Sequence, residues 1–204
     1  PVKPGESWGD TPGLLCWWQA PDAAPRRIRR GPGGAGQIPP GVFEQVHRSM
    51  GERIRVFALD QLRPVTDELV WDLYAGVGET SALLVGRGAR VESVELEPEA
   101  VATAERVAPE RVTRHIGTVE GWIDRMSPPS AVITNPPRAG MAESVVRGLV
   151  TRRPGRIVYI SCDPATLARD LSRFGSAYRV TALRSFDLFP QTAHLETVVR
   201  LDRA

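Results

Sequence analysis

The chain has 204 residues, 42% hydrophobic and 25% charged, the balance of one folded domain with room for a small appendage. Its net charge of +2 leaves no global electrostatic footprint for nucleic acid, and no apolar run nears the ~18 residues that a bilayer span requires. Cys16 and Cys162 match no metal-ligand or disulfide-framework spacing, and no basic, apolar leader precedes the first element. The expectation is a cytoplasmic protein without a membrane span or a metal site.

Residues 1–40 are rich in Pro, Gly and Arg and lack a helical period, and they hold Trp8, Trp17 and Trp18 of the five tryptophans. "LLCWWQ" reads as one short strand, and the segment as a tail or a piece of a β-rich domain. The Arg26–Arg30 cluster reads either as a phosphate contact or as a solvated loop. Of the 26 basic residues all but Lys3 are arginine, a bias attributed here to coding composition.

From Gly41 to the end the pattern becomes regular, and residues 41–204 are taken as one domain. Residues 42–62 predict a helix, with Val46, Met50, Ile54, Phe57 and Ala58 near a 3.6-residue period. "LVWDLYAG" predicts a strand running into a glycine turn, and "ETSALLVGRG" a helix closed by Gly88. Strand "RVESVELE", helix "PEAVATAERVA" with Pro98 at its start, and strands "RVTRHIG" and "AVITNPP" follow. Helix "ESVVRGLV", strand "RIVYISC" and helix "PATLARDLSRF" come next, before two closing strands, "YRVTALRSFDLF" and "HLETVVRLD".

Strands that alternate with helices make a parallel sheet covered on both faces. The connection "PQTA" is too short for a crossover, so the last two strands must pair antiparallel. Five strand–helix units followed by a hairpin predict an α/β, Rossmann-like, class I S-adenosylmethionine-dependent methyltransferase fold with a seven-stranded, mostly parallel sheet.

In such sheets the ligand lies beyond the carboxyl ends of the strands. The first of these ends is "DLYAGVGETS", where Gly76 and Gly78 permit a tight turn and close backbone approach. Glu95, 17 residues after Gly78, ends the second strand, where an acid can accept from both ribose hydroxyls. With Ser81 in the third-glycine position the loop also resembles a dinucleotide fingerprint, so NAD remains open on this loop alone. Asp72 and Tyr74 suit a charged methionine moiety better than a pyrophosphate, with packing as the alternative for Tyr74.

The fourth strand ends in "ITNPPRAGM", a stiff turn in which Arg138 stands where amine methyltransferases carry an aromatic ring. The fifth delivers Cys162, with Asp163 as an N-cap and Pro164 in the first helical position. A helix N-terminus there favours thiolate. Cys162 reads equally as a nucleophile or as a small residue closing a buried strand. On the last strand, alternation puts Glu196 with His194, opposite the Leu195–Thr197–Val199–Leu201 run expected to face the core.

"GVFEQVH", "DLYAGVGE", "VESVELEPEAV", "NPPRAG", "VYISCDPATLARDL" and "DLFPQTAHLETV" together resemble the RNA (uracil-5-)methyltransferase family, which makes 5-methyluridine in tRNA and rRNA. The resemblance covers nearly all of Gly41–Leu201. It implies S-adenosylmethionine as cofactor, RNA as partner, Cys162 as nucleophile and Glu196 as base. It further implies that Gln45, Tyr74, Glu79 and Glu95 hold the cofactor with the Gly76 and Gly78 turn. Asn135 matches an aspartate near the cofactor and the nucleobase.

The chain departs from the family pattern at several positions. Asn135 replaces the usual acid, and His47 ends a segment that usually closes in asparagine. Glu79 stands where asparagine or a small polar residue is usual, Thr118 where an acid often contacts adenine, and Ala193 where histidine is common. Family members usually carry an N-terminal RNA-binding β-barrel and a central β-rich domain, of which residues 1–40 read as the end, and these 204 residues hold none of the iron–sulfur cysteines found in some members. A methyltransferase of a nucleoside or small molecule, and a non-catalytic cofactor- or RNA-binding protein, are the alternative readings.

Overall fold

The computed structural model describes residues 17–18, 26–27, 48–107, 111–187 and 195–204. Gln45, His47, Ala193, His194, Cys16, the start of the predicted first helix and most of residues 1–40 lie outside the described residues. The chain divides into two compact units, Pro1–Glu44 and Gln45–Ala204. In the first, strands β1 (Trp17–Trp18) and β2 (Arg26–Arg27) pair antiparallel, Trp17 opposite Arg27.

The second unit alternates as the sequence pattern predicts. Helix α1 (Arg48–Leu62) precedes β3 (Leu69–Leu73), α2 (Glu79–Gly86), β4 (Arg90–Glu95), α3 (Pro98–Val107) and β5 (Val112–Ile116). Then come α4 (Val119–Trp122), β6 (Ala131–Thr134), α5 (Glu143–Arg152), β7 (Arg156–Ser161), α6 (Pro164–Phe174), β8 (Tyr178–Phe186) and β9 (Glu196–Arg203). The seven strands of this unit lie in the order β5-β4-β3-β6-β7-β9-β8. Those from β3 to β7 are parallel, and β9 pairs antiparallel with both β7 and β8. Among the described residues no helix is long and apolar enough to cross a membrane.

Two hydrophobic clusters cover the two faces. On one, Ile54, Ala58, Leu59 and Leu62 of α1 and Leu84 of α2 meet Val70, Ile133, Val158 and Val198 from the sheet. On the other, Val119, Val145, Leu149, Leu167 and Phe174 from α4, α5 and α6 meet Trp71, Val132, Tyr159 and Val199. Coverage of both faces is why β6 is buried at every position instead of alternating. Trp71 is wholly buried, and its indole N–H donates to the Ser127 carbonyl at 3.0 Å, which removes the cost of burying that donor.

Two expectations change. Helix α4 is absent from the sequence reading, because four residues are too few to display a period. The strand of Glu196 also has no solvent face. Since β9 inserts between β7 and β8, Val198 packs beneath α1 while Val199 and Leu201 pack on the opposite face. Glu196 is therefore a buried carboxylate, 4% exposed, on the α1 side.

Candidate active site

The C-terminal ends of β3 and β4 build a cradle from backbone. After β3 the chain turns through Tyr74, Gly76 and Gly78, all at positive φ (61°, 55° and 77°). The turn is closed by Ala75 N–H donating to Val94 O at 3.1 Å and Gly78 N–H to Ala75 O at 3.0 Å. Gly78 is required twice over: its φ disfavours other residues, and a Cβ there would lie 2.7 Å from the Ala104 Cβ on α3. A Cβ on Gly76 would meet nothing within 4 Å.

Glu95 is fixed against this turn. Its Oε2 accepts from Gly76 N–H at 2.7 Å and its Oε1 from Glu97 N–H at 3.0 Å. Each oxygen keeps a lone pair, so the half-buried carboxylate remains a two-point acceptor for vicinal hydroxyls. Glu95 and Ile116 are register partners on β4 and β5. Leu96 and Ile116 are 56% and 51% exposed, an apolar edge beside the acid of the kind a purine ring covers. Sequence reasoning missed both, although an aliphatic directly after a ribose-type acid was an available signal. A ribose-bearing cofactor of S-adenosylmethionine type thus fits this open glycine turn, its oriented acid and its apolar edge.

Other predicted residues have different surroundings. Asp72 faces inward, where its Oδ2 accepts from the Ser81 hydroxyl at 2.6 Å. That contact ties the end of β3 to α2, which corrects the reading of Asp72 as a partner for the methionine moiety. Burial raises its pKa to about 7, with a smaller upward push from Glu95, against the lowering hydrogen bond from Ser81. Tyr74 packs half-buried against the α5–α6 side of the core. Its phenol is pushed well above the usual range by burial, then by Glu120 and Asp170, so it stays a neutral donor. Glu79 opens α2 and pairs with Arg55 of α1 at 3.0 Å. The Thr118 hydroxyl caps α4 by accepting from Gly121 N–H at 3.2 Å.

The ends of β6, β7 and β9 carry the reactive groups. Ser161 faces Thr197 in the β7–β9 register, so Cys162 follows at the level of Glu196, itself opposite Phe186 of β8. Asp163 is the N-cap of α6, accepting from Ala165 and Thr166 N–H at 2.9 Å each, with Pro164 in the first turn, as predicted. Asn135 is exposed at the end of β6, its backbone N–H donating to Leu73 O at 3.2 Å. Arg138 is exposed in the turn that follows, and its positive charge favours the Cys162 thiolate. Sequence reasoning had noted Arg138 only for the aromatic ring it replaces.

The expected lowering of the thiol pKa is overturned. Burial pushes the half-buried Cys162 up, Glu196 adds to the push, and the Arg138 charge opposes it. The helix N-terminus is present, but desolvation and a neighbouring carboxylate outweigh it. Among the described residues, no three His, Cys, Asp or Glu side chains are grouped to hold a metal ion. A cleft of about 890 Å³ opens at the opposite end of the sheet, around Asp67, Arg90 and Arg111, where Arg111 pairs with Asp67.

Residues 123–204, which include Asn135, Arg138, Cys162 and Glu196, match the family model for tRNA (uracil-5-)-methyltransferase. The chain carries a domain of the RNA (uracil-5-)methyltransferase family. It is 41% identical over 145 residues to an uncharacterised RNA methyltransferase of Nitratidesulfovibrio vulgaris, which covers 66% of this chain and 31% of the relative. An uncharacterised RNA methyltransferase of Listeria monocytogenes is 37% identical over 167 residues, covering 78% of this chain and 36% of the relative. The chain thus spans about a third of the length of the curated relatives it matches.

Among solved structures, the tRNA (uracil-54, C5)-methyltransferase of Pyrococcus abyssi, in complex with S-adenosyl-L-homocysteine, superposes with a TM-score of 0.69 at 26% identity. The match covers 92% of this chain and 44% of that one. A precorrin-6y C5,15-methyltransferase of Geobacter metallireducens, at 17% identity and a TM-score of 0.61, shares the methyltransferase fold. The family domain therefore sits on an S-adenosylmethionine-dependent methyltransferase fold, as expected from the order of its elements.

Proposed function

We propose that the chain is an S-adenosylmethionine-dependent methyltransferase acting on C5 of a uridine in tRNA or rRNA through a covalent bond between Cys162 and C6. The observation that carries this reading is the meeting of a half-buried thiol and a buried carboxylate at one level of adjacent strands, Cys162 after β7 and Glu196 on β9. That pair suits a reaction which first adds a nucleophile to a ring and later removes a proton from it. The Pyrococcus relative with its bound S-adenosyl-L-homocysteine supports the choice of cofactor.

S-adenosylmethionine, when bound, supplies an electrophilic methyl group. Glu95 would hold its ribose hydroxyls, the Gly76–Gly78 turn its methionine part, and the Leu96–Ile116 edge its adenine, with Gln45, Tyr74, Glu79 and Asn135 as further contacts. The remaining chemistry belongs to the reaction end. The uridine must leave its stack to reach a thiol at the strand ends. Cys162 thiolate adds to C6, and the C5=C6 electron pair moves onto C5 and the C4 carbonyl, which makes C5 nucleophilic. Once C5 carries the methyl group, Glu196 accepts the C5 proton, the C5=C6 bond re-forms and the S–C6 bond breaks, returning the thiolate. We expect this chemistry in the cytoplasm, with RNA as the partner.

The test is a denaturing gel after incubation with 5-fluorouridine-containing tRNA and rRNA and the cofactor. Fluorine at C5 cannot leave as a cation, so the adduct cannot resolve. A protein–RNA band is expected with the parent protein and none with Cys162→Ala. Absence of the band with every RNA, alongside intact cofactor binding by calorimetry, would sink the proposal.

A further inference from the structure

The outer strand of the sheet carries a cluster that neither half of the site has used. β8 is an edge strand, and Arg184 and Phe186, two residues apart, project to one face of it. That face meets α1. Phe186 is buried there with Phe57 packed against its cluster, and the two rings meet edge to face with centroids 5.6 Å apart. The Arg184 guanidinium lies over both rings, 5.1 Å from the Phe57 centroid and 5.0 Å from that of Phe186. Arg184 is nevertheless exposed.

Its charge is unmatched, unlike that of the arginines around it. Arg55 of α1 pairs with Glu79 at 3.0 Å, and Arg200 of β9 with Asp202 at 2.9 Å. Among the described residues Arg184 has no ion pair and no hydrogen bond. Neither has Arg53, which is exposed one turn before Phe57 on α1. Stacking holds the planar fork of Arg184 in place and leaves its N–H donors unpaired. A guanidinium ordered in this way gives up little further rotamer freedom when a bidentate acceptor arrives. An arginine that only guarded the sheet edge would need no aromatic platform.

The register places this cluster beside the reaction end. Phe186 is the partner of Glu196 across the β8–β9 pair, and Arg184 that of Val198. Cys162, Glu196 and Phe186 thus stand at one level on neighbouring strands, with the thiol and Phe186 two strand spacings, ~10 Å, apart. The sugar–phosphate chain leaving a base bound at Cys162 covers that distance within a nucleotide or two. We infer that Arg184, held on Phe57 and Phe186 with Arg53 nearby, binds a backbone phosphate of the RNA strand beside the target uridine. The planar fork matches two phosphate oxygens, and such a contact fixes where the strand lies without reading its sequence. This rests on the reading of RNA as substrate but is measured without methyl transfer.

The probe is a fluorescein-labelled, uridine-rich single-stranded RNA of ~12 nucleotides, followed by anisotropy with the whole chain and S-adenosyl-L-homocysteine. Affinity is measured between ~50 and ~200 mM salt. Arg184→Gln should weaken binding about five- to tenfold at the lower salt. It should also reduce the slope of log affinity against log salt by about 0.7, the share of one phosphate on a single strand. Arg184→Lys should keep the slope and lose about threefold in affinity, because an ammonium keeps the charge but not the stacked fork. Phe57→Leu should behave like Arg184→Lys, since it removes a ring and leaves the charge. Arg147→Gln removes an exposed arginine paired with Glu143 on α5, across the sheet from α1, and should leave affinity and slope near parental.

If Phe57→Leu does not fold, Arg184→Lys carries the same distinction between charge and stacking. Parental affinity and slope for Arg184→Gln would overturn the proposal. So would an equal drop in slope for Arg147→Gln, the mark of a diffuse field in place of a contact. A loss of affinity in Arg184→Gln with the slope unchanged would assign the stack to the packing of β8 and overturn it as well. A missing adduct with 5-fluorouridine RNA, beside a slope that depends on Arg184, would count against the methylation chemistry alone. An adduct beside parental binding by Arg184→Gln would do the reverse, so the two failures are separable.

Discussion

The two halves of the strand-end rim solve different problems with different materials. The half over β3, β4 and β5 is built from backbone: positive-φ turns, a carboxylate held by two amide N–H groups, and an apolar edge open to solvent. The half over β6, β7 and β9 is built from side chains, with Cys162 half-buried, Glu196 and, behind it, Asp170 in the interior, and Arg138 exposed in the turn beside them. A cofactor that arrives and leaves each cycle needs a shallow site whose shape is preformed. A nucleophile and a base need fixed positions and low dielectric, where each charge changes its neighbour's protonation.

That division predicts separable defects. The largest effect is expected from Glu196→Gln, which should reduce turnover by about 10²- to 10⁴-fold. Because proton removal precedes elimination, ordinary uridine RNA should then accumulate as a methylated protein adduct, while cofactor affinity by calorimetry stays near parental. A large loss of cofactor affinity instead would erase the boundary between the halves. Glu95→Ala should do the reverse, weakening cofactor binding about 10- to 100-fold through loss of a charged acceptor. Its rate of Cys162 labelling by iodoacetamide should be unchanged, and slowed labelling would break the comparison.

The smallest effect is on stability, and it concerns the residue that links the rim to the core. Asp72 has a folded pKa of about 7 against an ordinary 3.8. The folded state therefore holds this proton more tightly. The resulting stability is full below pH 3.8 and is lost as pH rises through 7. Asp72→Asn lacks this dependence, so the melting temperature of the parent minus that of the variant should fall between pH 4 and 7 and level off above. A change on the order of 1–3 kcal/mol is expected. A difference that stays flat across pH 4–8 would show that Asp72 is ionised in the fold.

Local chemistry was legible where it follows from neighbours in sequence. The helix after Cys162 begins at Pro164 with Asp163 as its cap because both roles depend on adjacent backbone amides. The Gly76–Gly78 turn and the Glu95 strand end were readable for the same reason. Misreadings came wherever a third element intervened. Glu196 was expected on a face away from the core, but α1 lies across that face. The thiol was expected to be lowered by its helix, but Glu196 and burial reach it from outside that helix.

The sequence by itself determined the order of strands and helices apart from α4, the glycine turn, the capped helix behind Cys162 and the likeness to RNA (uracil-5-)methyltransferases, because each is written in periodicity, local dihedral preference or motif. Only the tertiary structure decided that β9 would insert between β7 and β8, bury Glu196 beside Cys162 and clamp the Arg138 turn upon Asp170. Those outcomes depend on desolvation and on charges more than 20 residues apart along the chain, quantities that arise only once the sheet has closed.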